Sequence, residues 1–445
     1  MRFARFFWLL CVSALGGSAA GVPNFVVILV DDLGYGDLGC YGSPLHETPH
    51  IDRLAAEGVR FTDFHSNGPM CTPTRAALLT GLYQNRLGRK FESALSGRAH
   101  YHEGLPHRTL TLAEALAERG YVSGCFGKWH LGYQPPNLPT DHGFDVFRGL
   151  ASGDGDHHTH VDRSGRADWW HDDRKVSETG YTAELLTKHA EEFIRQHQEQ
   201  PFLVYLPHLA IHFPWQGPED PPHRQVGQDY WNDKWGVIPN RDDVRPHVKA
   251  MVESVDRSVG RLITVLHELK LDRKTVVFFL SDNGGYINYS DSHRQISSNG
   301  PLRGQKTEPF EGGHRVPAIA WWPGQIAPAV VNDPAMTFDL FPTLIRLTGA
   351  SELPAGLDGV DLAPVLFQQE SLPERVLYWR MDDEGAVRLG PWKWVQLAGA
   401  DPMLFNLSTD VGEASNLATV WPRKLAELGT FYREWESSLV SSFGE

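Results

Sequence analysis

Cysteine is scarce in this chain, four in 445 residues. That argues against a disulfide scaffold. Cys11 lies in an apolar run at the start. Cys40 and Cys125 either pair in an oxidising compartment or stay as separate thiols, and spacing alone does not separate the two. No Cys/His set has the spacing of a zinc site. Basic residues are also short: 41 Lys and Arg face 55 Asp and Glu, a net charge of -14. This balance argues against a nucleic-acid backbone as partner, which is met by clustered Lys and Arg. An anionic small substrate must then be met by a locally positive pocket. Past residue 20 no apolar run is long enough to span a bilayer, and no repeat or low-complexity tract is present.

The start of the chain reads as a secretory signal over residues 1–20. Arg2 and Arg5 form a basic opening, Phe6 to Leu15 a short apolar stretch, and Ser18-Ala19-Ala20 a small-residue cleavage site. The expectation is an exported chain, periplasmic or secreted, with no stable membrane insertion.

Five near-continuous apolar runs read as strands buried on both faces of a mainly parallel sheet. They are Phe25 to Val30, Tyr121 to Phe126, Phe202 to Leu206, Val276 to Leu280 and Pro317 to Trp322. Helical patterns lie between them, at Thr111 to Glu118, Thr182 to Gln196 and Val248 to Leu269. The alternation predicts an α/β fold, a large mainly parallel sheet flanked by helices. Glycines and prolines break the pattern between Gly356 and Pro373. The short runs Val376 to Trp379, Ala386 to Leu389 and Trp392 to Leu397 read as a small antiparallel sheet. A helix over Leu425 to Leu439 closes the chain. The expected division is residues 21–365 and 366–445.

Within this frame Cys71-Thr72-Pro73-Thr74-Arg75 reads as the mouth of a short helix ended by Gly81. Thr72 is the expected N-cap and Pro73 the first helical residue. A helix N-terminus with Arg75 one turn in suits an anion. The same stretch also reads as a buried cysteine in a cap. Asp31-Asp32 follows one strand and Asp282-Asn283 another, where ligands bind in open α/β sheets. Each pair has glycine neighbours (Gly34 and Gly36, Gly284 and Gly285). Together they form an oxygen-only set that selects Ca²⁺ or Mg²⁺, although a lone Asp after a strand often just caps a helix.

These motifs resemble the type I sulfatases. The signature Cys-x-Pro-x-Arg is met at Cys71 to Arg75, and Val30 to Asp37 looks like the family's opening motif. Ser281 to Gly284 looks like its distal metal motif, and Gly127-Lys128-Trp129-His130-Leu131-Gly132 its second signature. His212, before Phe213-Pro214, takes the place of a family histidine, with His208 as rival. Lys306 sits in a loop similar to that of the last family lysine. The resemblance covers residues 25 to 322 and looks closest to arylsulfatases and N-acetylgalactosamine-6-sulfatases.

The resemblance implies an alkaline-phosphatase-like sandwich and a sulfuric ester hydrolase. It implies that a formylglycine-generating or radical maturation enzyme oxidises Cys71 to Cα-formylglycine. One Ca²⁺ is expected on Asp31, Asp32, Asp282, Asn283 and the oxygen at position 71. By analogy the hydrated aldehyde attacks sulfur and displaces the alcohol. Arg75, Lys128 and Lys306 offset charge, His130 handles the diol proton, and His212 or Lys306 protonates the leaving oxygen. The loop 151–175, with His157, His158, His160, Trp169 and Trp170, is the expected substrate surface for a sulfated glycan, with Trp215, Trp231 and Trp235 adding aromatic surface. Alternatives are a phosphate or phosphonate monoester hydrolase of the same superfamily, using Ser or Thr and two metals, and a non-catalytic glycan-binding relative.

Overall fold

Asn24–Val30 is buried along its whole length, as a strand covered on both faces must be. It is the middle of the sheet. The computed structural model describes residues 21–232, 243–290 and 293–442. The expected signal, residues 1–20, and Trp235 lie outside the described residues.

The strands in chain order are β1 (Asn24–Val30), β2 (Val59–His65), β3 (Val122–Lys128), β4 (Val146–Leu150), β5 (Trp170–His171), β6 (Arg174–Lys175), β7 (Phe202–His208), β8 (Thr275–Ser281), β9 (Asn288–Ser290), β10 (His293–Arg294), β11 (Arg315–Trp321), β12 (Ala329–Val331) and β13 (Ala335–Met336). All but β9 and β10, which pair with each other, form one sheet of order β12-β2-β11-β8-β1-β7-β3-β4-β5-β6, with β13 also on β2. The central strands β8, β1, β7, β3 and β4 run parallel. β11 runs against both its neighbours, so the sheet is mixed.

The period-2 alternation of β1 divides the core. Phe25, Val27 and Leu29 pack with helices α2 (Cys71–Thr80), α3 (Leu112–Ala117) and α7 (Leu340–Leu347) on one face. Val26, Ile28 and Val30 pack with α1 (Pro49–Glu57), α4 (Thr182–Gln196) and α5 (Arg245–Glu268) on the other. A capping box between Thr111 and Glu114 starts α3.

The start of α2 differs from the sequence expectation. Cys71 itself is the first helical residue and Met70 the N-cap. Thr72 is drawn into tertiary bonds instead: its Oγ1 donates to the His130 carbonyl at 3.0 Å and accepts from Leu95 N–H at 3.1 Å. Pro73 still sits in the first turn, where no intrahelical N–H is lost. Gly81 ends the helix with φ 70°, as expected.

A four-stranded antiparallel sheet follows: β14 (Val376–Met381), β15 (Glu384–Leu389), β16 (Trp392–Gln396) and β17 (Met403–Asn406). Helix α8 (Pro422–Ser442) covers it with Leu428, Tyr432, Trp435 and Leu439. Buried ion pairs tie this sheet to the main body. Arg388 Nη1 donates to Asp63 at 2.7 Å. Lys393 donates at 2.9 Å to Glu311 of α6 (Glu311–His314). Cys40, Cys71 and Cys125 are all free thiols, so Cys40 and Cys125 do not pair. No described helix is long and apolar enough to cross a membrane.

Candidate active site

The sheet register builds the site. Val30 of β1 pairs with Ser281 of β8 on one side and His208 of β7 on the other. The next residues of β1 and β8 are Asp31-Asp32 and Asp282-Asn283, so the two acid pairs emerge side by side. Asp32 adopts φ 63°, and its N–H donates to Asp282 Oδ1 at 3.2 Å.

Each carboxylate has a cationic neighbour. Arg75 grips Asp282 Oδ2 through Nε at 3.0 Å and Nη2 at 2.7 Å. Lys128 donates to Asp31 Oδ2. Asp32 Oδ1 accepts from Lys306 Nζ and, at 2.9 Å, from Asn283 Nδ2. Burial and the neighbouring Asp282 hold Asp31 well above the usual carboxylate range. Burial pushes Asp282 the same way, but Arg75, Lys128 and Lys306 outweigh it and its pKa is lowered.

Two oxygens are left over. Asp31 Oδ1 and Asn283 Oδ1 are buried with no hydrogen-bond donor, a costly arrangement unless something else meets them. Ligand atoms of Asp31, Asp282 and Cys71 all lie within 4.8 Å of one another. A cluster of buried acid and amide oxygens with two unmet lone-pair groups fits a hard cation such as Ca²⁺.

Cys71 lines the cavity at the N-terminus of α2. His130 Nδ1 is 3.2 Å from its Sγ, and His130 Nε2 lies 2.9 Å from the Leu95 carbonyl. A carbonyl only accepts, so Nε2 carries the proton and Nδ1 offers a lone pair to position 71. Burial and the nearby Lys128 depress the His130 pKa well below its ordinary value. Gly153 lets the chain pass this ring; a Cβ there would meet it at 2.3 Å.

His212 also lines the cavity, with Lys306, Tyr286 and Tyr289. Its Nδ1 donates to the Phe213 carbonyl at 2.9 Å, and its Nε2 stands 4.0 Å from Asp32 Oδ2. The rival His208 bonds Ser258 of α5 at 3.0 Å and is not part of the lining. Arg75 and Lys128 are fully buried behind the carboxylates and also lie outside the lining. Their charge acts through the acid pairs rather than by facing the cavity.

Of the expected substrate residues Trp231 lines the cavity, while His157, His158, His160, Trp169 and Trp170 do not. His160 stacks on Trp169 at 4.1 Å, and Trp169 Nε1 donates to Glu178 at 2.9 Å. Trp170 donates to Asp168 at 2.7 Å. His157 stacks on Tyr181 and meets the His212 carbonyl at 3.2 Å. His158 lies against Tyr181 and Gly217. These five residues pack the loop from within, because so long a loop needs its own core. The same loop lines the cavity with Ser152, Asp154, Asp162, Arg163 and Arg166 instead, and Trp231 joins them. Asp154, Asp162, Arg163 and Arg166 were not among the residues the sequence singled out for the substrate.

Comparison with known proteins identifies the family. The sulfatase family profile matches residues 23–350. N-acetylgalactosamine-6-sulfatase from Canis lupus familiaris is 36% identical over 408 residues, 86% of this chain and 74% of that protein. Arylsulfatase A from Bos taurus is 36% identical over 473 residues, 92% of this chain and 86% of that protein. The solved structure of Ps i-CgsB with k-i-k-neocarrahexaose superposes with a TM-score of 0.81 at 29% identity, covering 94% of this chain and 93% of that one. With the profile over most of its length and curated relatives above 30% identity, this chain belongs to the sulfatase family and is a sulfatase.

Proposed function

We propose that this sulfatase releases inorganic sulfate from a sulfated carbohydrate, with formylglycine made from Cys71 as the nucleophile and one Ca²⁺ held by Asp31, Asp32, Asp282, Asn283 and the oxygen at position 71. The observation that carries the reading is the placement of Cys71 Sγ at a helix N-terminus, within 4.8 Å of ligand oxygens of Asp31 and Asp282 and facing His130 Nδ1, in a cluster where Asp31 Oδ1 and Asn283 Oδ1 are unmet. A bound Ca²⁺ offsets the negative charge of the sulfate and polarises it as a Lewis acid.

The chain's own residues have separable roles in this reading. His130 Nδ1 takes a proton from a hydroxyl at position 71. As that oxygen bonds to sulfur, the sulfur–oxygen bond to the sugar breaks and the sulfate is left esterified to residue 71. The second hydroxyl there then gives up its proton, the carbon–oxygen bond to the sulfate breaks, and sulfate leaves as the aldehyde returns. Lys306 is an ammonium with three protons, one directed at Asp32, and it supplies a proton to the departing sugar oxygen. In neutral His212 the single proton is committed to the Phe213 carbonyl, so His212 orients the leaving group through Nε2. Arg75 and Lys128 fix the carboxylates that receive the cation.

A carbohydrate is favoured over other sulfate esters by the relatives, one named for N-acetylgalactosamine-6-sulfate and one solved with a neocarrahexaose. The reading includes export through residues 1–20 and a maturation enzyme as transient partner. A two-metal phosphate or phosphonate esterase is disfavoured because the ammonium groups of Lys128 and Lys306 stand against the acid pairs where a second cation would sit. A non-catalytic relative would be expected to lose Cys71, Lys128 or His130, and all are present.

The test is the mass of the peptide carrying residue 71 from protein co-expressed with a maturase. It is paired with sulfate release from an aryl sulfate and sulfated glycans, and with phosphate esters as a control. An unmodified thiol together with no sulfate release sinks the reading.

A further inference from the structure

We propose that Arg163 forms a subsite for a second acidic group on the substrate glycan, a uronate carboxylate or a second sulfate, beside the sulfate ester that is cleaved. The inference rests on the sulfated-carbohydrate reading above and adds a substrate feature to it.

Arg163 lies in the loop between β4 and β5 and lines the cavity with Cys71 and His212. Its guanidinium is held from three sides. Nε donates to Asp154 Oδ2 at 3.1 Å. The Cζ atom sits 5.1 Å from the centre of the Phe213 ring and 4.9 Å from that of Trp231. Trp231 is itself fixed by a 3.1 Å bond from Nε1 to Ser164. Yet neither Nη nitrogen of Arg163 has a hydrogen-bond partner among the described residues. The second arginine of the lining differs. Arg166 spends Nε on Asp162 at 2.8 Å and Nη2 on Gly97 and Ser164.

Asp154 does not neutralise Arg163 alone, because the same Oδ2 accepts from Arg224 Nη2 at 2.8 Å. The result is an oriented guanidinium on a side chain 19% exposed, in the wall of the cavity, with two nitrogens left for a ligand. That fork matches the paired oxygens of a carboxylate or sulfate. A neutral hydroxyl needs no charge fixed at this cost in desolvation. The location gives the register: Phe213, under the guanidinium, follows His212, which the proposed function assigns to the leaving oxygen. The second acid therefore belongs to the sugar side of the scissile bond. In a chain of net charge -14, such a local cation selects an anion at this one place rather than attracting anions generally.

The test compares kcat/KM on four substrates: an aryl sulfate, a neutral monosulfated disaccharide, the same disaccharide with a uronate neighbour, and a disulfated disaccharide. The matured wild-type enzyme is expected to prefer at least one doubly acidic substrate over the neutral one, and the preferred arm identifies the acid. Arg163→Gln is expected to reduce that preference about tenfold or more, since truncating one partner of a close charge pair costs at least that. Arg163→Lys, which keeps the charge without the fork, should give an intermediate ratio. Thermal melts check that both variants fold. A wild type that releases sulfate with no preference for a second acid overturns the inference. So does a variant that loses equally on neutral and doubly acidic substrates. No release from any of the four overturns the parent reading, and this one with it.

Discussion

His130 Nδ1 faces Cys71 Sγ at 3.2 Å while the opposite ring nitrogen is bound to the Leu95 carbonyl at 2.9 Å. This pair of contacts fixes the tautomer. The opposite tautomer would present an N–H to position 71 and leave the Leu95 carbonyl facing a lone pair.

The first expectation follows from that geometry. His130→Ala removes the imidazole that bonds residue 71 and should lower kcat by about 10²–10⁴, the range for loss of a positioned general base. Formylglycine content of the variant, read by peptide mass, separates lost chemistry from lost maturation. Normal maturation with wild-type kcat would refute the role.

His208 and His212 are four residues apart and have different surroundings. His212 lines the cavity and His208 bonds Ser258 under α5. His212→Ala should lower kcat/KM about tenfold to a thousandfold, the scale of a lost polar contact in a transition state. His208→Gln should leave turnover intact and cost about 1–3 kcal/mol of stability, the price of disturbing a buried hydrogen bond. Steady-state kinetics and urea midpoints on both variants decide it, and reversed outcomes would exchange the two assignments.

These two histidines also show what sequence alone reveals. The strands β1, β3, β7 and β8 were legible because burial on both faces leaves continuous apolar runs. The direction of β11 was not, since such a run looks the same either way along the sheet. β2 escaped because Arg60 and Thr62 alternate with its buried Val59 and Phe61. The acid pairs were legible because each directly follows a buried strand. The part of the cavity wall built by the loop 151–175 was not. In that loop His157, His160, Trp169 and Trp170 are buried against Tyr181, Asp168 and one another, and the charged residues around Arg163 line the cavity. Composition cannot distinguish those two faces of an irregular loop.

Cation removal gives the third expectation. Asp31 Oδ1 and Asn283 Oδ1 have no other partner, so chelation should abolish sulfate release and lower the melting temperature, and Ca²⁺ should restore both. At a concentration about 100 times its Kd, a ligand of the folded state alone adds about 2.7 kcal/mol. Asp31→Asn should lose the Ca²⁺-dependent shift in melting temperature while keeping the fold. A melting curve indifferent to both chelator and Ca²⁺ in the wild type would contradict the site.

The last expectation concerns pH and uses His208, whose pKa is moved by burial and whose ring bonds Ser258 of α5. Burial pushes its pKa down to about 3, and its Nδ1 has no partner, so a second ring proton would be buried unpaired. The sign follows from linkage. In the unfolded chain this group takes a proton near pH 6.5, and in the folded chain it does not. Its contribution to stability is therefore complete above about pH 6.5 and is lost as pH falls toward 3. Other groups titrate in the same range: burial raises Asp168 to about 6 and Glu413 to about 7, and these work in the opposite direction. They are present in wild type and variant alike and cancel in the difference between the two. The stability cost of His208→Gln should accordingly shrink by about 1.4 kcal/mol for each pH unit below 6.5, and reverse in sign where the wild type's loss exceeds the cost of the substitution. Urea midpoints of both proteins at pH 7.5, 6.0 and 5.0 measure this, and a cost that stays constant across the three would mean that His208 accepts its proton in the folded state.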